Sequence, residues 1–406
     1  MTTPRLDGGS NVPTRRAFMG LSAAWIATAA GDRSGIVASA PAASPSGARQ
    51  GIGRGARIAY VGSFTTATRN AHGEGLSVYH IDPVSSRWSR VQLLAKEVNP
   101  SYLALDPRRP VLYSVHADAN QVSAFRIDEH SGELTLLNRQ SSGGDNPVHL
   151  ALDPSGRFLV VANYGSGSVA VLSVNRDGSL GPRTDLAILK GEPGPHRTEQ
   201  AVSHPHQCQF DSGGRFVVVP DKGLDRLFVF RLDGAKGVLV PAGPPSVKTR
   251  AGAGPRHAGF HPRLPYAFVI NELDSTIATY RLANSGVLDP LQILPSIPAT
   301  FTGDNTGSAI VVAPSGRYVY ASNRGHDSIG VFRIDESTGL LSPVAWESTT
   351  GPTPRFIGLD PAGGRLFAAN QRGDTIVEFD VDQTTGTIKA TGRIVLTGTP
   401  VCVVLR

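Results

Sequence analysis

Residues 146–180 read NPVHLALDPSGRFLVVANYGSGSVAVLSVNRDGSL, and this stretch decides the fold because the chain repeats its pattern seven times. Each copy has an apolar run, a Pro/Gly turn, a β-rich run, a polar turn and another β-rich run. A unit of this size cannot bury its own apolar faces, so the copies must stack and share a core. Other copies begin near Pro100, Pro205, Pro255, Thr306 and Pro354.

The seventh copy is divided between the two ends of the chain. Residues 400–405, PVCVVL, match the first strand of a copy, and the segments starting at Arg57, Gly75 and Trp88 match the rest. This division predicts an all-β fold, a seven-bladed β-propeller with four-stranded antiparallel blades. The C-terminal strand would pair with the N-terminal strands and close the ring. Six or eight blades would follow only if one copy were divided wrongly.

The first 40 residues are typical of an export signal. The twin-arginine pattern TRRAFM at 14–19 precedes a short apolar stretch, and ASA at 38–40 offers a cleavage site. The sequence therefore predicts a twin-arginine signal at 1–40, a flexible linker at 41–56 and one propeller domain at 57–406. It also predicts contact with the twin-arginine export machinery and a periplasmic or secreted protein without a membrane span. The alternatives are that residues 1–40 form a disordered tail or an uncleaved membrane anchor.

Composition limits the partners of the predicted domain. With 40% hydrophobic residues, the 406-residue chain can bury a large core. The formal net charge of +6 falls to +4 without residues 1–40, and the basic residues are scattered rather than aligned. Nucleic-acid binding is therefore not expected. We expect a monomer.

The two cysteines do not predict a disulfide. Cys208 and Cys402 lie in the first strands of blades that are not neighbours, too far apart to be joined without distortion. They are expected to be buried apolar side chains. No spacing of Cys and His residues is typical of a metal site.

Hairpin folding gathers polar residues at one rim of the ring. The start of each first strand returns beside the end of the second strand, so Arg256 meets Glu272 and His206 meets Asp221. Asp-Pro turns such as that at 153–156 occupy the opposite rim and are ordinary turn chemistry. The same folding brings Asn163, Thr306, Gly307, Asn323, Arg324, Arg355 and Asn370 to the rim.

An insertion at residues 187–203 runs into the strand that begins at Pro205. It is expected to overhang the pocket and to present His196 and Arg197, unless it is only a solvated loop.

Several segments in phase with the repeat resemble the seven-bladed propeller lactonase family, which includes propeller-type 6-phosphogluconolactonases and fungal carboxy-muconate cyclases. The resemblance covers about residues 57–406. The matching segments are Gly194-Pro195 with Arg197, Gln200 and HPH at 204–206, VPDKGLDR at 219–226, GPRH at 254–257, NELDST at 271–276 and YASNRG at 320–325.

The resemblance implies a catalytic set of His206, Arg256, Glu272 and Arg324 at the channel mouth, with no cofactor and no metal. Lys222 departs from the family, which usually has an apolar residue there, and adds a charge near the mouth. We expect substrate contacts from Asp221, Asn163, Asn323, Arg355, Asn370 and Arg197.

These residue types suit lactone chemistry. Guanidinium groups such as those of Arg256 and Arg324 can stabilise the oxyanion that forms when a lactone ring opens. His206, with a pKa expected near neutrality, could activate water or protonate the leaving alkoxide. Glu272 could act as a base or orient Arg256. The same groups could instead form a lactone, as in a cycloisomerase.

Each residue also has a purely structural interpretation. His206 could bond a neighbouring blade, and Arg256–Glu272 could be an ion pair that only ties the hairpin. Arg324 could cap its turn. Asn163, Asn323 and Asn370 could be turn formers. His149 and His257 alternate in their strands and are expected to pack between blades.

Three other classes of protein compete with this interpretation. A calcium-dependent lactonase could use Glu272 and the asparagines, but two guanidinium groups would repel the cation. A quinone-dependent dehydrogenase would need aromatic motifs that are absent. A non-enzymatic binding propeller stays open because the fold hosts many functions.

The sequence favours hydrolysis of a small anionic or sugar lactone. An exported enzyme would meet lactones other than a phosphorylated cytosolic one. If Glu272 serves catalysis alone, Glu272→Gln should cut turnover and leave the melting temperature nearly unchanged.

Overall fold

The structure, a computed structural model, describes residues 57–406. The export signal and linker predicted at 1–40 and 41–56 lie outside the described residues. No helix within 57–406 has the length and apolar character needed to cross a membrane.

The described chain forms seven sheets of four antiparallel strands, as predicted, with one short 3-10 helix at Ala67–Arg69. In chain order the strands are β1 (Arg57–Ser63), β2 (Leu76–Ile81), β3 (Trp88–Leu94), β4 (Pro100–Leu105), β5 (Val111–His116), β6 (Gln121–Ile127), β7 (Leu134–Ser141), β8 (Pro147–Leu152), β9 (Phe158–Asn163), β10 (Ser168–Val174), β11 (Leu180–Ile188), β12 (Gln209–Phe210), β13 (Val217–Asp221), β14 (Arg226–Asp233), β15 (Val238–Lys248), β16 (Pro255–Phe260), β17 (Tyr266–Asn271), β18 (Thr276–Leu282), β19 (Leu288–Pro295), β20 (Thr306–Val312), β21 (Tyr318–Arg324), β22 (Ser328–Ile334), β23 (Leu341–Ser348), β24 (Pro354–Leu359), β25 (Arg365–Asn370), β26 (Thr375–Val381), β27 (Ile388–Leu396) and β28 (Pro400–Leu405).

Blade 1 combines both ends of the described chain in the order β28-β1-β2-β3, and blades 2 to 7 each take four consecutive strands. Strand β28 pairs antiparallel with β1, placing Ala59 opposite Leu405 and Val61 opposite Val403. This pairing gives β1 its second neighbour and closes the ring, which confirms the predicted division of the seventh copy.

The core lies between neighbouring blades. The second strands β5, β9 and β17 are buried at every position, whereas several residues of the outer strand β7 are exposed. One apolar cluster joins Val160 of blade 3 to Val219 and Phe228 of blade 4. Each blade therefore covers its neighbour's faces, which explains why one copy could not fold alone. Both Cys208 and Cys402 are buried and free, as expected.

The Asp-Pro turns are structural. At the end of the hairpin away from the channel mouth, the carboxylate of Asp153 accepts hydrogen bonds from the backbone N–H groups of Arg157 and Phe158, at 2.8 and 2.7 Å. The carboxylate of Asp211 does the same for Arg215 and Phe216. Such bonds fix the turn and leave these carboxylates no catalytic task.

Candidate active site

One equivalent position in six of the seven blades contributes a side chain to the pocket at the channel mouth. In blades 1, 2, 3, 5 and 7 the second residue of the innermost strand is skipped by the pairing register, which makes it the extra residue of a β-bulge. A bulge turns a side chain away from the regular alternation of a strand. The bulged residues are Val401, Ser101, Val148, Arg256 and Arg355.

All five bulged residues line one pocket, and His206, at the same position of blade 4, joins them. In blade 6 this position is Ser308, because Gly307 pairs with Asn323 as Pro255 pairs with Asn271. Ser308 is fully buried, and its hydroxyl donates a hydrogen bond to the carbonyl oxygen of Arg355 at 2.8 Å. The pocket is completed by Phe64, Arg69, Tyr102, Ala117, His257 and Phe356.

Behind Arg256, the carboxylate of Glu272 holds three cations together. Its Oε1 lies 2.9 Å from Nζ of Lys222, and its Oε2 lies 2.9 Å from Nε of Arg256 and 3.1 Å from Nη2 of Arg324. Cations from three neighbouring blades thus meet at one carboxylate. The structure brings Arg256, Glu272 and Arg324 together, as predicted, and adds Lys222. Of these four residues, Arg256 is the one that lines the pocket.

These contacts fix the charge of each member. Burial alone would raise the pKa of Glu272, but Arg324, Lys222 and Arg256 together lower it well below its usual value. Burial would lower the pKa of Lys222, yet Glu272, Tyr164 and Glu199 together outweigh burial and raise that pKa. Since both Glu272 oxygens face cations, the carboxylate is placed to orient the guanidinium groups rather than to take a proton.

Arg256 is almost fully buried and firmly held. Its Nη1 donates a hydrogen bond to the carbonyl oxygen of Ser308 at 2.7 Å and lies 3.3 Å from Nε2 of His257. Burial, followed by the nearby charge of Arg324, lowers the pKa of Arg256 to about 10, so it remains a cation at neutral pH. The guanidinium is therefore a rigid positive group beside the pocket.

His206 is buried between two aromatic rings. Its ring contacts Tyr164 and His257 edge to face, with ring centroids 5.5 and 5.2 Å away. Burial, then the charges of Arg256, Arg355 and Lys222, lowers its pKa well below the usual histidine value. The near-neutral pKa predicted from the sequence is therefore wrong, because the sequence did not show how deeply the ring is buried or how many cations surround it. His206 is neutral, and its Nδ1 bonds no other described residue.

His149 and His257 pack between blades, as expected. His149 lies 4.1 Å, centroid to centroid, from Tyr102 of blade 2 and within 3.4 Å of the backbone N–H of Cys208 in blade 4. Burial lowers the pKa of His149 to about 3. His149 is thus uncharged at neutral pH.

The inserted segment reaches the site through Glu199 rather than Arg197. Glu199 Oε2 lies 2.5 Å from Nζ of Lys222, and the buried Gln200 donates to the carbonyl of Lys222 and to Asp225 at 2.8 and 2.7 Å. Arg197 is exposed, and no contact with the mouth is seen. The sequence singled out Lys222 only as a departure and did not predict its bond to Glu199.

The other polar residues predicted to touch substrate have structural partners instead. Asp221 is fully buried and accepts hydrogen bonds from Ser203 at 2.5 Å and from three backbone N–H groups. Asn163, Asn323 and Asn370 are also fully buried, and their amides donate to the carbonyls of Ser142, Ser296 and Thr349. We leave these four residues out of the proposed site.

The asparagines do not form a calcium site with Glu272. Each sits within its own blade, and both oxygens of Glu272 face cations. Within residues 57–406, no group of three or more His, Cys, Asp or Glu side chains is arranged to hold a metal ion.

The described chain thus forms a closed ring of seven blades with a cationic, histidine-lined pocket at its mouth. The sequence model of the family described as "Lactonase, 7-bladed beta-propeller" matches residues 58–405. The chain therefore belongs to the seven-bladed β-propeller lactonases, which confirms the predicted family, fold and enzyme class.

Curated relatives agree. The chain is 39% identical over 301 residues to the 6-phosphogluconolactonase of Bacillus subtilis, covering 73% of this chain and 83% of that protein. It is 33% identical over 311 residues to the 6-phosphogluconolactonase of Formosa agariphila, covering 74% and 86%. The solved periplasmic gluconolactonase of Pseudomonas aeruginosa superposes with a TM-score of 0.79 at 29% identity, covering 86% of this chain and 99% of that one. These relatives do not favour the cycloisomerase or the non-enzymatic propeller.

Proposed function

We propose that the protein hydrolyses a small sugar or anionic lactone in the mouth pocket. The observation that carries the proposal is the single cluster in which Glu272 orients Arg256 and Arg324 beside a neutral His206. The names of the relatives, which are lactonases of sugar acids, support the same reaction.

Arg256 and Arg324 supply the oxyanion stabilisation. When water attacks the lactone carbonyl, negative charge develops on the carbonyl oxygen, and fixed guanidinium donors stabilise that charge more than they stabilise the neutral carbonyl. Glu272 holds both groups in place, so little reorganisation is needed during the reaction. The ammonium group of Lys222 compensates part of the negative charge of Glu272 at its other carboxylate oxygen, Oε1.

His206 moves the proton. Neutral imidazole accepts a proton from the attacking water as the new C–O bond forms. The resulting imidazolium is strongly acidic because cations surround it, so it passes the proton to the ring oxygen as the ring C–O bond breaks. The product is the open hydroxy acid. A depressed pKa keeps His206 in the accepting form well below neutral pH.

A panel of lactones assayed by pH-stat tests the proposal. Arg256→Ala should lower kcat/KM by about 10²–10³-fold, as expected for the loss of one oxyanion donor. Arg281, an exposed arginine of β18, supplies the control variant Arg281→Ala, which should retain full activity. If wild type opens no lactone faster than Arg256→Ala does, the hydrolase assignment fails.

Export to the periplasm is part of the same proposal. The twin-arginine pattern at 14–19 supports it, and the Pseudomonas aeruginosa relative is named as periplasmic. The twin-arginine machinery would be a partner only during export, and the mature enzyme would act as a monomer without a cofactor. Cell fractionation checks the location, since a purely cytoplasmic protein would contradict it.

A further inference from the structure

His257 lines the mouth pocket as well as packing between blades. In β16 the pairing register skips Arg256, and His257 is the next residue. A bulge turns neighbouring side chains away from strict alternation, and here both of these side chains reach the pocket. The proposed reaction uses Arg256 and His206 but gives no task to this second imidazole.

Arg256 fixes the tautomer of His257. Nη1 of Arg256 lies 3.3 Å from Nε2 of His257 and donates a second hydrogen bond to the carbonyl oxygen of Ser308 at 2.7 Å. A guanidinium group has donors only, so Nε2 of His257 accepts from Arg256. A neutral imidazole whose Nε2 accepts carries its proton on Nδ1. Nδ1 is therefore the donor atom of this ring.

The ring of His257 is neutral and held in place. Its centroid lies 5.2 Å from that of His206 and 5.9 Å from that of His149, and both contacts are edge to face. Burial, followed by the charge of Arg256, lowers the pKa of His257 well below the usual histidine value. A proton on Nε2 would point at the guanidinium of Arg256, so the structure favours the neutral form with its proton on Nδ1.

The donor atom of His257 is open to the pocket. Of the three stacked imidazoles His257 is the most exposed, at 8% against 6% for His206 and 1% for His149. Buried nitrogens without a hydrogen-bond partner occur in His206, at Nδ1, and in His149, at Nε2, but not in His257. Since Nδ1 of His257 also bonds no other residue among 57–406, it is free to bind a ligand.

We propose that the Nδ1–H group of His257 donates a hydrogen bond to the carbonyl oxygen of the lactone, next to the guanidinium of Arg256. The inference rests on the proposed hydrolysis and deepens it by adding a neutral donor to the charged one. As water attacks, negative charge grows on that oxygen, and the bond strengthens in the transition state. His257 keeps its proton throughout, as a neutral imidazole that polarises a carbonyl does, and His206 transfers the proton.

Hydrolysis of glucono-δ-lactone by the full chain tests the donor. His257→Phe keeps a ring and removes the N–H group, so kcat should fall about 10²–10³-fold, as for other lost oxyanion donors, with KM nearly unchanged. His257→Asn places its amide near the position of Nδ1 and should recover at least about tenfold of the lost kcat. His257→Gln places its amide near Nε2 and should behave like His257→Phe.

The tautomer gives a measurement that does not depend on turnover. In wild-type protein labelled with ¹⁵N-histidine, NMR spectra at neutral pH should show Nδ1 of His257 protonated and Nε2 unprotonated. The signals of His257 are identified by their loss in His257→Asn or His257→Gln, whichever folds. A proton on Nε2 would overturn the proposal even if every variant at this position were unstable.

His149→Phe is the matched control, because it removes a buried imidazole of the same stack that does not line the pocket. It should leave kcat nearly unchanged. If wild type opens no lactone, the proposed function fails, and the donor role with it. If wild type is active but His257→Phe keeps its kcat, His149→Phe loses as much, or His257→Asn recovers nothing, the donor role is wrong and hydrolysis stands.

Discussion

Glu272 is the residue on which the charges of the mouth depend. It is the shared partner of Lys222, Arg256 and Arg324, and only about a tenth of its side chain is exposed. A buried group of three cations and one carboxylate already carries excess positive charge. Removing the carboxylate would therefore affect the fold as well as the reaction.

Glu272→Gln should lower the free energy of unfolding by about 3–5 kcal/mol, the usual cost of leaving buried charges without their partner. This revises the expectation from sequence, which was a nearly unchanged melting temperature. Thermal and urea unfolding measure the effect. The control is Glu336→Gln, whose ion pair with Arg263 is half exposed and should matter by less than about 1 kcal/mol. Equal losses in the two variants would contradict the role given to Glu272.

For individual residues, the sequence predicted which side chains meet, but it did not predict their charge state or their role. Register alone brought Arg256 beside Glu272 and Thr306 beside Arg324, because hairpin pairing is set by turn length. The state of His206 could not be predicted, since its pKa depends on cations from other blades. The asparagines looked like site residues because they recur at the rim, yet recurrence there serves turn formation.

Among the elements, the inserted segment between β11 and β12 is the one that the repeat does not explain. Lys222, in the turn after β13, joins this segment to the site through Glu199 and Glu272. The segment is also held where the N–H of Gly194 donates to the carbonyl of Gly223. The position of the segment therefore depends on a few bonds, one of which is charged.

Lys222→Met keeps the length of the side chain and removes its charge. Loss of this charge-assisted bond should speed amide hydrogen exchange at Gly194 and Gln200 about tenfold or more and raise KM for the substrate. Exchange followed by mass spectrometry on peptides from 189–204 measures the opening. The exposed Lys236→Met should leave exchange in these peptides unchanged. Unchanged protection in Lys222→Met would show that Gln200 alone holds the segment.

The strands were predictable and the bulges were not. Apolar runs separated by turns indicate every strand from β1 to β28, because each turn uses Pro, Gly, Asp or Asn. A bulge occurs near the start of the first strand whether that strand begins with proline, as in β16, or with Thr306, as in β20, so we attribute it to the need of each first strand to meet its neighbours around the channel. This requirement depends on the closed ring, so the sequence of a single copy does not reveal it.

For the whole molecule, buried histidines set the response to pH. Burial is the main reason why the pKa of each is lowered, so each stays neutral to a lower pH in the folded chain than in the unfolded chain. Unfolding exposes them, and they then titrate near pH 6.5. The group comprises His116, His149, His206, His257 and His261.

Stability should therefore fall as the pH drops below about 6.5, because the unfolded chain binds protons that the folded chain does not. Each fully buried histidine contributes up to about 1.4 kcal/mol per pH unit in this range. Urea unfolding at pH 7.5 and 5.5 measures the slope, and His149→Gln should reduce it. His130→Gln, at an exposed site, should not. Equal free energies of unfolding at both pH values would contradict the prediction.

The bulge positions have an evolutionary consequence. They project into the pocket from strands whose other residues form the core, so one of them can change while the blades keep their packing. Exchanging Val148 or Val401 for a polar residue would alter which lactones are accepted without rebuilding the ring. Related propellers could thus acquire new substrates through single codon changes, each in a different blade and each nearly independent of the others.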